Sequence, residues 1–361
     1  MVSLISRLPP AFFDALKSFE AKVLEYAPSP GLPVLIEAIR NYYKKIGVEY
    51  EASDILITTG GSEALQILLN CILDNGSEVL IPEPFYPNYC TFVTSAGGKI
   101  VPIPTTVEEG YRYAVKERIE AQITENTRAI MVTNPGNPTG LVLTREELQV
   151  IVDVAKAHDL YIIGDEVYRE FFYGGNGMAI SLSSFPEVSE NVVLIDSVSK
   201  RFSACGARIG CLVSKNKALM AEAMKFCQAR LSVATLDQVA SAALYNVDDS
   251  YFAAVREEYQ LRRDTVLNAL KKIPGVIVSN PEGAFYLMAT LPVEDAEAFQ
   301  MWLLNEFEDN GQTVMFSPAG SFYATEGRGK NEIRIAYVLK KERLECAMEL
   351  LDTALKKYNA K

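Results

Sequence analysis

Short apolar runs recur along the first two-thirds of the chain, each followed by a stretch with helical spacing. Residues 55–59, 78–82, 99–103, 129–133, 160–163 and 191–195 read as buried strands. Between them, 64–73, a stretch opened by 84–89, 115–123 and 145–158 read as helices, with 60–63 a tight turn. Ahead of the first strand, 11–25 predicts one amphipathic helix, 26–31 a turn-rich connector and 35–45 a second helix. Apolar strands joined by helical crossovers define an α/β fold with a mostly parallel sheet covered by helices on both faces. After about Asp237 the alternation gives way to one long helical run over 240–270. Strands and turns at 276–291, 314–318 and 333–338 follow, with helices at 296–308 and 341–355. This predicts a smaller α+β domain. The expected division is a large domain over 27–245 and a small one made of 1–26 and 246–361.

Ligands of open parallel sheets bind at the carboxyl ends of the strands, and the unusual residues of this chain gather there. After 191–195 comes Asp196-Ser197-Val198-Ser199-Lys200, then Arg201 to Gly210 with Arg208. A lysine able to form an imine, with a serine and an arginine able to hold a phosphate, suits a phosphorylated aldehyde; a solvated basic loop is the plain alternative. Gly60-Gly61-Ser62 precedes a helix, where free N–H groups favour an anion, although Ser62 could equally be an ordinary N-cap. The loop Asn134-Pro135-Gly136-Asn137-Pro138-Thr139-Gly140 is stiff enough to aim the Asn137 amide at a phenolic oxygen or a carboxylate, or is simply a rigid turn. Asp165 ends a buried strand with Tyr168 just beyond. A carboxylate there can keep a heterocyclic nitrogen protonated, or cap a following helix. Arg334 lies between Ile333 and Ile335 on the opposite strand face, suited to a carboxylate ligand or to an internal salt bridge. Together these parts match pyridoxal phosphate acting on an amino acid.

Composition narrows the alternatives. The 361 residues are 49% hydrophobic and 22% charged, as in a globular protein with a sizeable core and about two domains. A net charge of −11 speaks against a nucleic-acid partner. No apolar run nears the ~20 residues of a membrane span, and the start lacks the parts of a secretion signal. The six cysteines (Cys71, Cys90, Cys205, Cys211, Cys227, Cys346) are scattered, as for reduced thiols in a cytoplasm. With His158 the only histidine, neither a metal site nor a Ser-His-Asp hydrolase is expected; His158 reads as structural or solvent-facing.

From about Tyr26 to the C-terminus the chain resembles the class I/II aminotransferases of the pyridoxal-phosphate fold-type I superfamily. Gly60-Gly61-Ser62, Pro84-Phe85-Tyr86, Asn134 to Gly140, Asp165 to Tyr168, Ser197 to Gly210 and Arg334 occur in the family's order. The resemblance implies that Lys200 bonds the cofactor aldehyde and moves the proton between Cα and cofactor. It implies that Asp165 pairs with the ring nitrogen, Tyr168 and Asn137 bind the ring 3-oxygen, and Tyr86 stacks on the ring. Gly61, Ser62, Ser197 and Arg208 would hold the phosphate, with Tyr26 reaching the phosphate of a neighbouring subunit in a homodimer. Arg334, helped by Asn137, would bind the substrate α-carboxylate. Aspartate with 2-oxoglutarate is the expected substrate pair. Arg230 is a candidate for selecting an acidic side chain, with a solvated surface arginine the more expected role. A pyridoxal-phosphate carbon–sulfur lyase shares nearly the whole constellation and is the alternative. A catalytically silent ligand-sensing domain is less expected, because no basic helix-turn-helix precedes Tyr26. The family's longer N-terminal segment, with its Gly-x-Pro-Asp motif, is absent where Leu8 meets Pro9. Residues are expected to be missing at that join, which bears most on side-chain specificity.

Overall fold

A computed structural model describes residues 7–360; residues 1–6, part of the expected 1–26 span, lie outside the described residues. The first helix, α1 (Ala11–Lys17), is far shorter than the expected 11–25. It closes at Ser18, and the apolar residues beyond it, Val23, Leu24 and Tyr26, are exposed. Without a surface to bury them, so short an amphipathic stretch gains too little to extend the helix. Helix α2 (Pro33–Lys45) starts on a proline preset for a first turn and buries Leu35, Ile36, Ile39, Tyr42 and Tyr43.

Strands and helices then alternate. They run β1 (Ile55–Thr58), α3 (Gly60–Ile72), β2 (Glu78–Pro82), α4 (Asn88–Ser95), β3 (Lys99–Ile103) and α5 (Lys116–Glu120). Next come β4 (Thr127–Thr133), α6 (Arg145–Ala157), β5 (Tyr161–Asp165), β6 (Val192–Ser197) and α7 (Val198–Arg201). A further strand, β7 (Gly210–Ser214), was not among the expected ones, nor was α8 (Lys217–Ala229). The seven strands lie in the order β1-β7-β6-β5-β4-β2-β3, parallel except that β7 runs against both neighbours. Residues of α2 and α6 build the core on one face of this sheet, and residues of α3, α4 and α8 build the other.

The predicted helix over 240–270 is two helices, α9 (Thr235–Leu244) and α10 (Asp249–Leu270). Asp248 separates them by accepting a bond from Ser250 N as the cap of α10, a role aspartate fills better than a helix interior. A second sheet follows, with β8 (Ile277–Val278), β9 (Tyr286–Thr290), α11 (Ala296–Asn305), β10 (Ser317–Pro318), β11 (Glu332–Ala336) and α12 (Lys341–Asn359). Its four strands are antiparallel in the order β10-β11-β9-β8, over a core that includes Phe285, Phe299 and Leu351. The buried carboxylate of Glu83, just after β2, ties the two sheets together. It accepts bonds from Ala324 N and Thr325 N (both 3.1 Å) and from Arg328 (3.2 Å). Among the described residues, no helix is long and apolar enough to cross a membrane.

Candidate active site

The turn after β1 belongs to α3, which begins at Gly60 rather than Ala64. Gly60 sits at φ +72°, where a side chain is strained, and a Cβ there would lie 2.3 Å from Arg208 Nη2 and push that guanidinium aside. Thr59 offers α3 no side-chain cap, leaving the first-turn N–H groups at Gly61 and Ser62 facing the same space. Arg208, itself left-handed at φ 52°, spends its guanidinium on Cys205 O (3.0 Å) and Ser199 Oγ (3.5 Å).

At the end of β6, Ser197 caps the one-turn helix α7 by accepting from Ser199 N (3.0 Å). Successive residues of α7 then point opposite ways. Arg201 turns into the core and bonds Asp196 through both oxygens (2.9 and 2.8 Å), beside Arg169 and Tyr43. Lys200 turns outward. Its Nζ lies 3.9 Å from Cys205 Sγ and 5.9 Å from the Phe285 ring centroid, and among the described residues it has no ion-pair partner.

Asp165 closes β5 and is buried. No helix follows it, so it is not a helix cap; Tyr168 lies on a turn. Tyr89 donates to Asp165 Oδ2 (2.6 Å), while Oδ1 receives only a long bond from Val167 N (3.4 Å). Burial pushes the carboxyl up to about 6, with the Tyr89 bond pulling the other way. The Tyr168 hydroxyl lies 3.2 Å from that of Tyr286, and burial raises it well above the usual phenol range.

Arg334 of β11 lies against Tyr286 and Phe322, 4.6 and 4.9 Å from their ring centroids. Its Nη1 donates to Asn137 Oδ1 (3.0 Å), and its buried Nε has no partner among the described residues. Tyr86 is half-buried and accepts from Asn88 Nδ2 (2.7 Å).

Gly61, Ser62, Tyr86, Asn137, Asp165, Tyr168, Ser197, Lys200, Arg208 and Arg334 all line one cavity of about 380 Å³. Tyr26 does not; it is 81% exposed. The cavity also holds Tyr89, Tyr286 and Cys205, which sequence reasoning had not singled out. Their only signal was proximity in the chain to Tyr86, to Gly283-Ala284-Phe285 and to Lys200. Arg230 is neither a cavity residue nor a solvated one. It pairs with Glu63 (3.5 Å) and donates to Ser29 O (3.2 Å) and Ile57 O (2.9 Å), tying the end of α8 to β1. His158 is surface-placed, 3.4 Å from Glu120.

Lys200 and Arg208 at the strand ends of the parallel sheet and Arg334 from the second sheet, which among the described residues have no carboxylate partners, lie beside one buried carboxylate and make an enzyme site for a small anionic ligand. The family model of aminotransferase class I and II matches residues 9–351. The chain is 32% identical over 336 residues to the aspartate aminotransferase of Pyrococcus horikoshii, covering 91% of this chain and 83% of that one. It is 32% identical over 349 residues to aromatic-amino-acid aminotransferase 2 of Thermococcus litoralis, covering 95% and 87%. The solved structure of aspartate aminotransferase from Thermus thermophilus with maleate superposes with a TM-score of 0.88 at 28% identity. That match covers 98% of this chain and 90% of the other. The chain belongs to the aminotransferase class I and II family. It is an aminotransferase, moving an amino group between an amino acid and a 2-oxo acid.

Proposed function

We propose that this aminotransferase works through pyridoxal 5′-phosphate held in the cavity, in ping-pong fashion, with aspartate or glutamate as the amino donor. The observation that carries the cofactor is the convergence of Lys200, Arg208 and Arg334, none with a carboxylate partner among the described residues, on one cavity with the buried Asp165. The residues fit the group. The unbonded Arg334 Nε and the uncapped first turn of α3 are donors without acceptors, and Gly60 leaves the room that Arg208 fills. The acidic substrate is supported by relatives named aspartate aminotransferase.

When bound, the group supplies a protonated ring that draws off the electrons of the substrate Cα–H bond. Lys200 would hold it through its aldehyde carbon, and its Nζ would carry the substrate Cα proton. Asp165 would keep the ring nitrogen protonated, as an adjacent carboxylate raises a cation's pKa. Gly61, Ser62, Ser197 and Arg208 would receive the phosphate, joined by Tyr26 of the partner subunit. Tyr168 and Asn137 would bond the 3-oxygen, Tyr86 would cover the ring face, and Arg334 with Asn137 would take the α-carboxylate. The same reading takes 27–245 as a large cofactor-binding domain, 1–26 with 246–361 as a small one, and the active unit as a cytoplasmic homodimer.

The test is the absorbance spectrum of the purified protein with single amino acids and no 2-oxo acid. A yellow protein bleached by aspartate or glutamate supports the cofactor, the half-reaction and the acidic donor. Release of ammonia and pyruvate from cysteine-like substrates would replace it with a lyase. A wild type that takes up no pyridoxal phosphate, or a Lys200→Ala variant that keeps full half-reaction, would overturn it.

A further inference from the structure

We propose that Tyr89 is a positioning residue of this site, whose hydroxyl fixes Asp165 Oδ2 and so holds that carboxylate for the cofactor's ring nitrogen. The proposal rests on the role given to Asp165 above. Tyr89 is the second residue of α4 and is buried. Its ring meets Tyr86 edge-on, centroids 5.5 Å apart at 90°, so it cannot swing away freely. Its hydroxyl reaches both Asp165 Oδ2 (2.6 Å) and Thr133 Oγ1 (2.9 Å). Thr133 and Asp165 sit in register at the ends of the neighbouring strands β4 and β5, so Tyr89 bridges the strand ends from outside the sheet.

Directions follow from chemistry. A carboxylate only accepts, so the Tyr89 proton goes to Asp165, and Thr133 donates to the Tyr89 oxygen. Such a relay polarises along its length and strengthens the last bond. Asp165 needs the help. Burial raises its carboxyl, and Asp196 and Glu166 push the same way, while the Tyr89 and Val167 N–H bonds oppose them. Lys200, Tyr86 and Tyr168 face the same cavity. Tyr89 itself is pushed well above the usual phenol range by burial and by Asp165, so it remains a donor across the working pH.

The experiment uses Tyr89→Phe, which keeps the ring, along with Thr133→Val, Asp165→Asn and the Tyr89→Phe/Asp165→Asn double variant. Binding of pyridoxal phosphate to each apoprotein is followed by equilibrium dialysis from pH 6 to 9, with the visible spectrum of the bound form recorded alongside. Tyr89→Phe should bind about tenfold more weakly near neutral pH, as expected for losing a hydrogen bond to a charged group. The deficit should shrink as pH rises and re-ionises Asp165. Thr133→Val should show a smaller loss of the same sign, and Tyr89→Phe should cost under about twofold when Asp165 is already Asn. A pH-independent loss, or an equal loss in both backgrounds, would make Tyr89 merely structural and overturn the proposal. Weak binding by Asp165→Asn with wild-type binding by Tyr89→Phe would overturn this proposal alone. Wild-type binding by Asp165→Asn would remove the role of Asp165 and this proposal with it.

Discussion

Asp165 carries a cost while the cavity holds no ligand. Its carboxyl titrates near 4 in an unfolded chain and is pushed up to about 6 by burial in the folded one. The folded state thus keeps a proton between pH 4 and 6 that the unfolded state has released. This group's stabilising contribution is whole below pH 4 and is lost as pH rises through 6. Asp165→Asn removes that loss. At pH 7.5 the variant apoprotein should be more stable than wild type by about 3 kcal/mol while losing the half-reaction. Urea midpoints at pH 4 and 7.5 check this, since the advantage should vanish at the lower pH. Arg334→Ala should raise KM for amino acids by the equivalent of roughly 2–5 kcal/mol, as expected when a partner of a buried charge pair is removed; half-reaction kinetics at varied substrate concentration measure it. The polar residues gathered in the cavity were legible because lysine, aspartate and arginine are rare at the mouth of buried strands. Tyr89 was not: the residue it serves is 76 positions away, and only folding joins them.

The junction of β6 with α7 aims Lys200, and it is anchored from the opposite side. Arg201 holds Asp196 with two bonds at about 1% exposure, and Tyr43 donates to the same carboxylate (3.0 Å). Removing one partner of a buried pair strands the other. Arg201→Ala should therefore destabilise the fold by about 3–5 kcal/mol, read as a lower urea midpoint. The strands up to β6 were readable because buried parallel strands are continuous apolar runs. Helix α1 was over-read because the apolar spacing of 18–26 looks helical yet meets no covering surface. The break between α9 and α10 depends on one capping aspartate, a weak mark against a long periodic background.

At the scale of the whole molecule, the exposure of Leu24 and Tyr26 on a chain whose cavity lacks Tyr26 accords with the proposed homodimer. Sedimentation should give twice the 39.9 kDa chain mass. Tyr26→Ala should weaken cofactor binding yet leave the thermal stability of each chain's own fold nearly unchanged, because the side chain is 81% exposed. Equilibrium dialysis and calorimetry would separate the two effects. Sequence alone could assign Tyr26 only by family resemblance, since its side chain lies outside the cavity of its own chain.

The bond from Arg334 to the Asn137 amide oxygen has a consequence for which molecules the site admits. One guanidinium nitrogen already bonds a neutral oxygen, so on the proposed role of Arg334 a substrate acid would compete with that oxygen at Nη1. An ester or amide of an amino acid offers another neutral carbonyl and gains little from the trade, whereas a free carboxylate gains the difference between a neutral and a charged acceptor. On the proposed role of Arg334, the pocket would thus favour an unblocked acid end by comparing each arrival with an oxygen of its own.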